Sequence, residues 1–227
     1  MNKRQEEILK FAIEKYIESG EPIGSRFLVS KTGLKWSEAT VRNELRVLEK
    51  SGYLGHPHTS AGRVPTEKGY RYYVERILKP IEIKKKIRET LFEIIKADLE
   101  ISKKIKTLGQ YVSNITGAAS IVSLGDNDIY FTGISKLFSQ PEFRDLEKIA
   151  DVSDVFDHCE EYIQDMHDLI GDMNKTHVLI GKNNPLDEMC SVVASGFENN
   201  GLFILVGPTR MNYRDNISLI NYISNLM

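Results

Sequence analysis

The chain has 227 residues, 41% of them apolar, which is enough sequence to bury the cores of two modest domains. No apolar run reaches the ~20 residues that a bilayer crossing needs, and the N-terminal residues lack the apolar core of a signal peptide, so we expect a cytoplasmic protein without a membrane span. The formal net charge of −2 hides a division, because residues 1–79 carry +5 (15 − 10), residues 80–117 carry +3 (8 − 5) and residues 118–227 carry −10 (7 − 17). The basic part would attract phosphate groups, and the acidic part would be repelled from a duplex.

The first predicted element is an amphipathic helix from Lys3 to Ser19. Gly20 and Pro22 end it, because glycine adopts the left-handed cap and proline cannot continue a helix. Its apolar residues recur at helical spacing: Ile8, Phe11, Ala12, Ile13, Tyr16 and Ile17. A shorter helix starts at Ser25, and Gly33 closes it.

The third predicted helix begins at its N-cap, Ser37, and stops at Gly52. Its two faces differ: Val41, Leu45 and Leu48 would face a core, which leaves Thr40, Arg42, Asn43 and Arg46 outside. Arginine can bind guanine and asparagine can bind adenine through paired hydrogen bonds, so this outer face suits a major groove. An ordinary amphipathic surface helix would show the same pattern, and only the neighbouring elements favour recognition of DNA.

A candidate wing follows this helix. Residues 53–55 can form a short strand, and the polar loop over residues 56–65 has no core-forming run. Thr66 then caps a helix with Tyr70, Tyr73, Val74 and Ile77 on one side and Arg71 and Arg76 exposed. Two helices joined by a short glycine-containing turn and followed by such a loop predict a winged helix-turn-helix domain over residues 1–79.

The residues predicted to contact double-stranded DNA lie in the turn, on the recognition helix, on the wing and on the helices beside them. They are Ser25, Lys35, Trp36, Ser37, Thr40, Arg42, Asn43, Arg46, His58, Thr59, Ser60, Arg63 and Arg71. His56 and His58 are better explained as wing residues than as metal ligands.

The same residues resemble those of the heat-inducible transcription repressor (HrcA) family of bacteria. The matching segments are residues 20–25 (GEPIGS), 37–45 (SEATVRNEL), 58–74 (HTSAGRVPTEKGYRYYV), 139–147 (SQPEFRDLE) and 206–213 (VGPTRMNY). The resemblance implies a homodimeric repressor that binds an inverted-repeat operator ahead of chaperone operons, with a GAF-like domain after the winged helix. It also implies the chaperonin as a partner that assists folding of the repressor.

The chain departs from that family in one place. Members usually carry an inserted dimerisation segment inside the GAF-like part, whereas here two strands, residues 118–124 and 129–134, flank only a short turn at residues 125–128. A short hairpin is therefore predicted where the insertion usually lies, and the mode of dimerisation and the control by temperature or chaperonin are left open.

Residues 80–117 are predicted as a helical linker. Apolar residues fall on alternating steps of four and three, broken at Asp98: Ile87, Leu91, Ile94, Ile101, Ile105, Leu108, Val112 and Ile115. The stripe fits an intersubunit coiled coil or helical hairpin. It fits equally a helix packed on its own domain, with a new helix beginning near Asp98.

Residues 118–227 are predicted as a GAF-like domain for dimerisation or regulation, which makes the chain α+β as a whole. Beyond the hairpin the expected strands are residues 177–180, 190–195 and 202–206, and the expected helices lie near residues 142–150, 152–173 and 217–227. Cys159 and Cys190 are far apart in apolar patterns, which predicts buried free thiols.

No catalytic motif and no cofactor site are predicted. An acidic set on the 152–173 helix invites a metal hypothesis, but a buried stripe on the same helix makes these residues an ordinary exposed face: Asp154, Asp157, His158, Glu161, Asp165, His167, Asp168 and Asp172. Three functions remain, in order: a sequence-specific repressor, a ligand-sensing regulator that binds a small molecule in its C-terminal domain, and a metal protein or enzyme.

Overall fold

A computed structural model describes residues 1–57, 62–125, 128–144 and 146–227, with only the backbone at residues 146–148 and 151. The chain divides into two compact units, Met1–Lys79 and Pro80–Met227. Residues 80–117, predicted as a linker, are grouped with the second unit because the helix over Ile101–Thr116 packs on its sheet. The two units are described separately.

The first unit is three helices, a hairpin and a closing helix. Its elements are α1 (Lys3–Ser19), α2 (Ser25–Thr32), α3 (Glu38–Lys50), β1 (Leu54–Gly55), β2 (Val64–Pro65) and α4 (Glu67–Tyr72). Asn2 and Gln5 form a reciprocal capping box at the start of α1, and Gly20 ends it with a φ of 69°. The predicted bounds of α1 are confirmed.

One apolar core joins these helices. Its buried members include Ile8, Leu9, Ile13, Leu28, Val41, Leu45, Leu48, Leu54, Tyr70 and Tyr73. α1 packs on both α2 and α3, and the predicted inner face of α3 is confirmed. Thr66 caps α4 as predicted, but the helix then widens into a π-helical turn at Tyr73–Ile77.

The hairpin is antiparallel and begins at the predicted strand. Leu54 pairs with Pro65 and Gly55 with Val64. Val64 and Pro65, predicted as part of the loop, instead form the second strand, so the connecting loop is residues 56–63. Of that loop, residues 58–61 lie outside the described residues.

The described strands of the second unit form one antiparallel sheet of five, in the order β4-β3-β7-β6-β5. The strands are β3 (Ala119–Leu124), β4 (Asp128–Thr132), β5 (His177–Ile180), β6 (Cys190–Phe197) and β7 (Gly201–Pro208). The predicted β3–β4 hairpin is confirmed, with Ser120 opposite Thr132 and Leu124 opposite Asp128. Asp126 and Asn127 of its predicted turn are outside the described residues.

Alternation along the strands buries both faces of this sheet. One face carries Ile121, Val192 and Ile204 into a core with helices α7 (Ile134–Phe138), α8 (Leu146–Asp157) and α9 (Cys159–Ile170). The other face meets α6 (Ile101–Thr116) and α10 (Tyr213–Ser224). Hydroxyl pairs lie on this second face, Ser113 with Ser120 at 3.0 Å and Ser191 with Tyr213 at 2.8 Å.

The apolar stripe of residues 87–115 lies on two helices. α5 (Lys85–Lys96) ends before Asp98, α6 begins at Ile101, and the two helices contact each other. Leu91, Ile105, Leu108 and Val112 are buried within the unit. The stripe does not lie on one continuous helix, because residues 97–100 separate α5 from α6, and Ile101 and Ile115 are 53% and 41% exposed.

Several predicted bounds in the second unit are corrected. The strand predicted over residues 129–134 ends early, because Gly133 has a φ of 82°. Ile134 instead starts α7, a helix that was not predicted. The helix predicted over residues 142–150 is instead α8, Leu146–Asp157. The single helix predicted over residues 152–173 is interrupted at His158, which separates α8 from α9. Leu169, whose spacing along this helix predicts burial, is 56% exposed.

The two cysteines are free and buried, as predicted. Burial raises the pKa of the Cys190 thiol to about 12 and that of the Cys159 thiol to about 11. Among the described residues, no three His, Cys, Asp or Glu side chains come together as ligands for a metal ion. Within the same residues, no helix is both long and apolar enough to cross a bilayer.

Candidate nucleic-acid interface

The turn between α2 and α3 is built by one glycine and one buried leucine. Gly33 ends α2 in the left-handed region at φ 65°, where a side chain would be strained. Leu34 then turns inward and is 7% exposed. Ser37 caps α3, since its Oγ accepts a hydrogen bond from the Thr40 N–H at 3.2 Å. The chain thus leaves one helix and enters the next within a few fixed residues.

The inner face of α3 includes a carboxylate. Glu44 is 8% exposed, lies beside Val41 and Leu45, and pairs with Arg4 Nη2 at 2.6 Å. Gln5 Nε2 donates a second hydrogen bond to it at 3.0 Å. The start of α1 is therefore tied to the middle of α3 by a charge-assisted pair.

The outer face of α3 presents polar side chains and one apolar side chain. Arg42, Asn43 and Arg46 are exposed, as predicted, and Val47 is 44% exposed beside them. Arg42 Nη2 lies 2.6 Å from Glu38 Oε1, one turn earlier. For Asn43 and Arg46, the described residues supply no hydrogen-bond or ion-pair partner. Residues 43, 46 and 47 share one helix face, so these groups can meet one ligand surface together.

The first turn of α3 holds two hydroxyls in mutual contact. Ser37 Oγ and Thr40 Oγ1 are 2.9 Å apart, so each helps to orient the other. Ser37 is exposed and Thr40 half-buried. At a helix N-terminus such hydroxyls, with the free backbone N–H groups, form a site that suits an anion such as phosphate.

The base of the hairpin loop is held against α3. Arg63 Nη2 lies 3.3 Å from Glu49 Oε2, and His56 Nε2 lies 3.0 Å from Glu49 Oε1. The backbone of Arg63 also pairs with that of Ile23, at 2.8 and 2.9 Å. Arg63, predicted as a DNA contact, is therefore engaged within the unit, and its side chain is only 16% exposed.

The remaining predicted residues are spread around this face. Lys35 is exposed and Trp36 half-buried. Arg71 is half-buried and paired with Glu67 at 3.3 Å. Ser25 is buried, with its hydroxyl 3.4 Å from Glu38 Oε1, so it supports Glu38 and does not present its side chain at the surface. His58, Thr59 and Ser60 lie outside the described residues.

The closing helix α4 is tied to α1 by a phenol. Tyr72 donates a hydrogen bond to Glu6 Oε1 at 2.6 Å, and this bond to a carboxylate raises the pKa of the Tyr72 hydroxyl. Gly69 passes so close to the Tyr53 carbonyl oxygen that a Cβ there would collide with it. The hairpin and α4 are thus packed backbone against backbone.

Sequence reasoning missed Glu44, Val47 and Glu49 as parts of this arrangement. Periodicity could have found two of them, because Glu44 sits at the buried spacing of 41, 45 and 48, and Val47 follows Asn43 by four residues. Pairing of Glu49 with both ends of a loop has no local signal, since the partners lie 7 and 14 residues away.

Comparison with known proteins gives the class. A family model described as the HrcA protein C-terminal domain matches residues 74–217, which is 144 of the 227 residues. A relative from Thermodesulfovibrio yellowstonii is 27% identical over 338 aligned positions that span 97% of this chain and 95% of the relative. One from Bifidobacterium animalis subsp. lactis is 42% identical over 120 residues, 53% of this chain and 33% of the relative. Both are named "Heat-inducible transcription repressor HrcA".

A solved structure, described only as a hypothetical protein at 2.2 Å resolution, shares the fold with a TM-score of 0.80. It is 19% identical and covers 99% of this chain and 97% of its own. The class that the family model and the relatives define is that of transcription repressors, not of enzymes. The chain belongs to the HrcA family. The 338-position alignment exceeds this chain by at least 111 positions (338 − 227), so the relative carries long segments that this chain lacks.

Proposed function

We propose that the chain is a sequence-specific DNA-binding repressor whose α2 and α3 form the helix-turn-helix and whose β1–β2 loop is the wing. The outer face of α3 carries the proposal. It presents Asn43 and Arg46 without partners among the described residues, on a helix whose opposite face is locked into a core. Free amide and guanidinium groups on a rigid support are what base recognition in a major groove requires.

Each side chain then has a role. Asn43 and Arg46 read base edges, and Val47 meets the methyl group of a thymine. Arg42 exchanges Glu38 for a base or a phosphate on binding. Ser37, Thr40 and Lys35 hold the backbone at the start of α3, with Trp36 packed beside them, and residues 58–60 and Arg71 reach neighbouring phosphates.

The proposed target is an inverted-repeat operator ahead of heat-shock or chaperone genes, bound by a homodimer in the cytoplasm. The names of the relatives support heat-inducible control, and two-fold operators match two-fold proteins. The antiparallel sheet with helices on both faces supports the GAF-like assignment of the second unit. Its net charge from residue 118 onward, −10, directs that part away from the duplex. The chaperonin stays a proposed partner from the family resemblance.

The test is a fluorescence-anisotropy titration of an inverted-repeat duplex and its scrambled counterpart at two salt concentrations. We expect binding about 10³-fold or more stronger to the operator. Asn43→Ala should weaken it about 10-fold to 100-fold, the value of one paired base contact, and Asn114→Ala, an exposed site on α6, should not change it. Asn43 is a cleaner probe than Arg42, whose removal also breaks the pair with Glu38. Equal binding of both duplexes by wild type would overturn the proposal.

A ligand-sensing regulator is the second candidate because the second unit has an open cleft of about 520 Å³. Apolar side chains line it, among them Ile101, Ile105 and Leu108, together with charged ones such as Lys96 and Lys104. This candidate predicts that dialysed protein binds the operator only after a low-molecular-weight cell fraction is added. Full binding by dialysed protein would favour the first.

A further inference from the structure

The wing loop, residues 56–63 between β1 and β2, is held in place at the end that leads into β2. The backbones of Ile23 and Arg63 exchange two hydrogen bonds, 2.8 and 2.9 Å long. Beside them, Gly62 runs so close to Pro22 and Ile23 that a Cβ would lie 2.7 Å from their backbone atoms. The end of the loop that leads into β2 is therefore pressed against the turn between α1 and α2.

One carboxylate on the recognition helix connects the two ends. Glu49 Oε1 contacts His56, just after β1, and Glu49 Oε2 is 3.3 Å from both Nε and Nη2 of Arg63, just before β2. His56 Nδ1 lies 3.2 Å from the Gly62 carbonyl oxygen, so the ring spans from the helix to the far end of the loop. The carboxylate is 30% exposed, and Arg63 is 16% exposed.

We propose that Glu49 is a positioning residue, which sets the wing relative to α3 so that both reach the same DNA duplex. The inference rests on the proposed function. A bare carboxylate on a recognition helix would repel phosphates and lower affinity. Here the carboxylate is paired with side chains from both ends of the wing. It orders the wing in the free protein, so less conformational entropy is lost when DNA binds. Arg63 acts through this contact and not by touching DNA.

The sign of one substitution separates this role from a plain surface charge. Glu49→Gln removes a negative charge from the basic unit, so electrostatics alone would tighten DNA binding. Loss of the wing's positioning should instead weaken operator binding, by about tenfold. Glu49→Asp keeps the charge on a side chain one methylene too short, and should also weaken it. Glu7→Gln, an exposed glutamate of α1, is the matched control and should leave affinity unchanged or slightly raised.

The measurement is operator anisotropy well below the unfolding temperature, together with hydrogen exchange of the Ile23 and Arg63 amides in free protein. We expect those amides to exchange about tenfold faster in Glu49→Gln and at the wild-type rate in Glu7→Gln. Specific wild-type binding with unchanged or tighter binding by Glu49→Gln would overturn the inference, and so would unchanged amide exchange. If the wild-type protein does not prefer the operator, the proposed function is overturned, and the role of Glu49 in DNA binding with it. Faster exchange of the Ile23 and Arg63 amides in Glu49→Gln would then still show that Glu49 holds the loop in place.

Discussion

Removal of the Glu44 carboxylate should loosen the first unit measurably. Glu44→Ala deletes the 2.6 Å pair with Arg4 and the 3.0 Å hydrogen bond from Gln5. Hydrogen bonds to charged groups contribute about 1.5–3 kcal/mol each. The Arg4 side chain is 44% exposed and is hydrated again when the pair is removed, so its pair with Glu44 contributes less than this range to stability. Alanine also favours a helix by a few tenths of a kcal/mol over glutamate. We therefore expect a net loss of about 1–2 kcal/mol.

The assay uses the single tryptophan of the chain, Trp36, which lies in the first unit beside α3. Its fluorescence during urea titration reports the unfolding of that unit. With a urea dependence of about 1–1.5 kcal/mol/M for a unit of this size, the midpoint should fall by about 1 M. Glu7→Ala, on the exposed side of α1, should stay within about 0.5 kcal/mol of wild type. An unchanged midpoint for Glu44→Ala would refute the view that this pair stabilises the first unit.

Three further results are expected. Ser37→Ala should lower the stability of the first unit by about 1 kcal/mol in the same titration, since the Thr40 N–H loses its 3.2 Å acceptor; equal midpoints would contradict this. Ile204 lies in the middle of β7 and is fully buried, so Ile204→Ala should lower the free energy of unfolding of the second unit by about 2–5 kcal/mol. Circular dichroism during thermal unfolding measures this, and a loss under about 1 kcal/mol would mean that the core of the unit is not packed as described. The two buried thiols should react with a disulfide reagent at pH 8 only after unfolding, and rapid reaction of the native protein would refute their burial. Because burial raises the pKa of Cys190 to about 12 from an ordinary 9.0, the free energy of unfolding should be highest below pH 9 and should decline as the pH rises above it.

The sequence by itself predicted the local elements well where a cap and a periodicity agree. α1 has both signals, a helical periodicity and a terminating glycine at position 20, and its predicted bounds match. The inner face of α3 followed from helical spacing, because apolar side chains that share a helix face repeat every 3.6 residues. The β3–β4 hairpin followed from two apolar strands on either side of a turn at residues 125–128. The outer residues Arg42, Asn43 and Arg46 are exposed for the same reason.

Tertiary structure decided which contacts the polar groups make within the protein. Arg63 reads as a DNA contact in a polar loop, but contacts with Ile23 and Glu49 engage it within the unit. The stripe of residues 87–115 resembles one seam, but residues 97–100 separate two helices, the second of which rests on the sheet. Sequence periodicity tells which face of an element is apolar. It does not tell which distant surface covers that face or which distant charge pairs with a given side chain, because those depend on contacts between residues far apart in the chain.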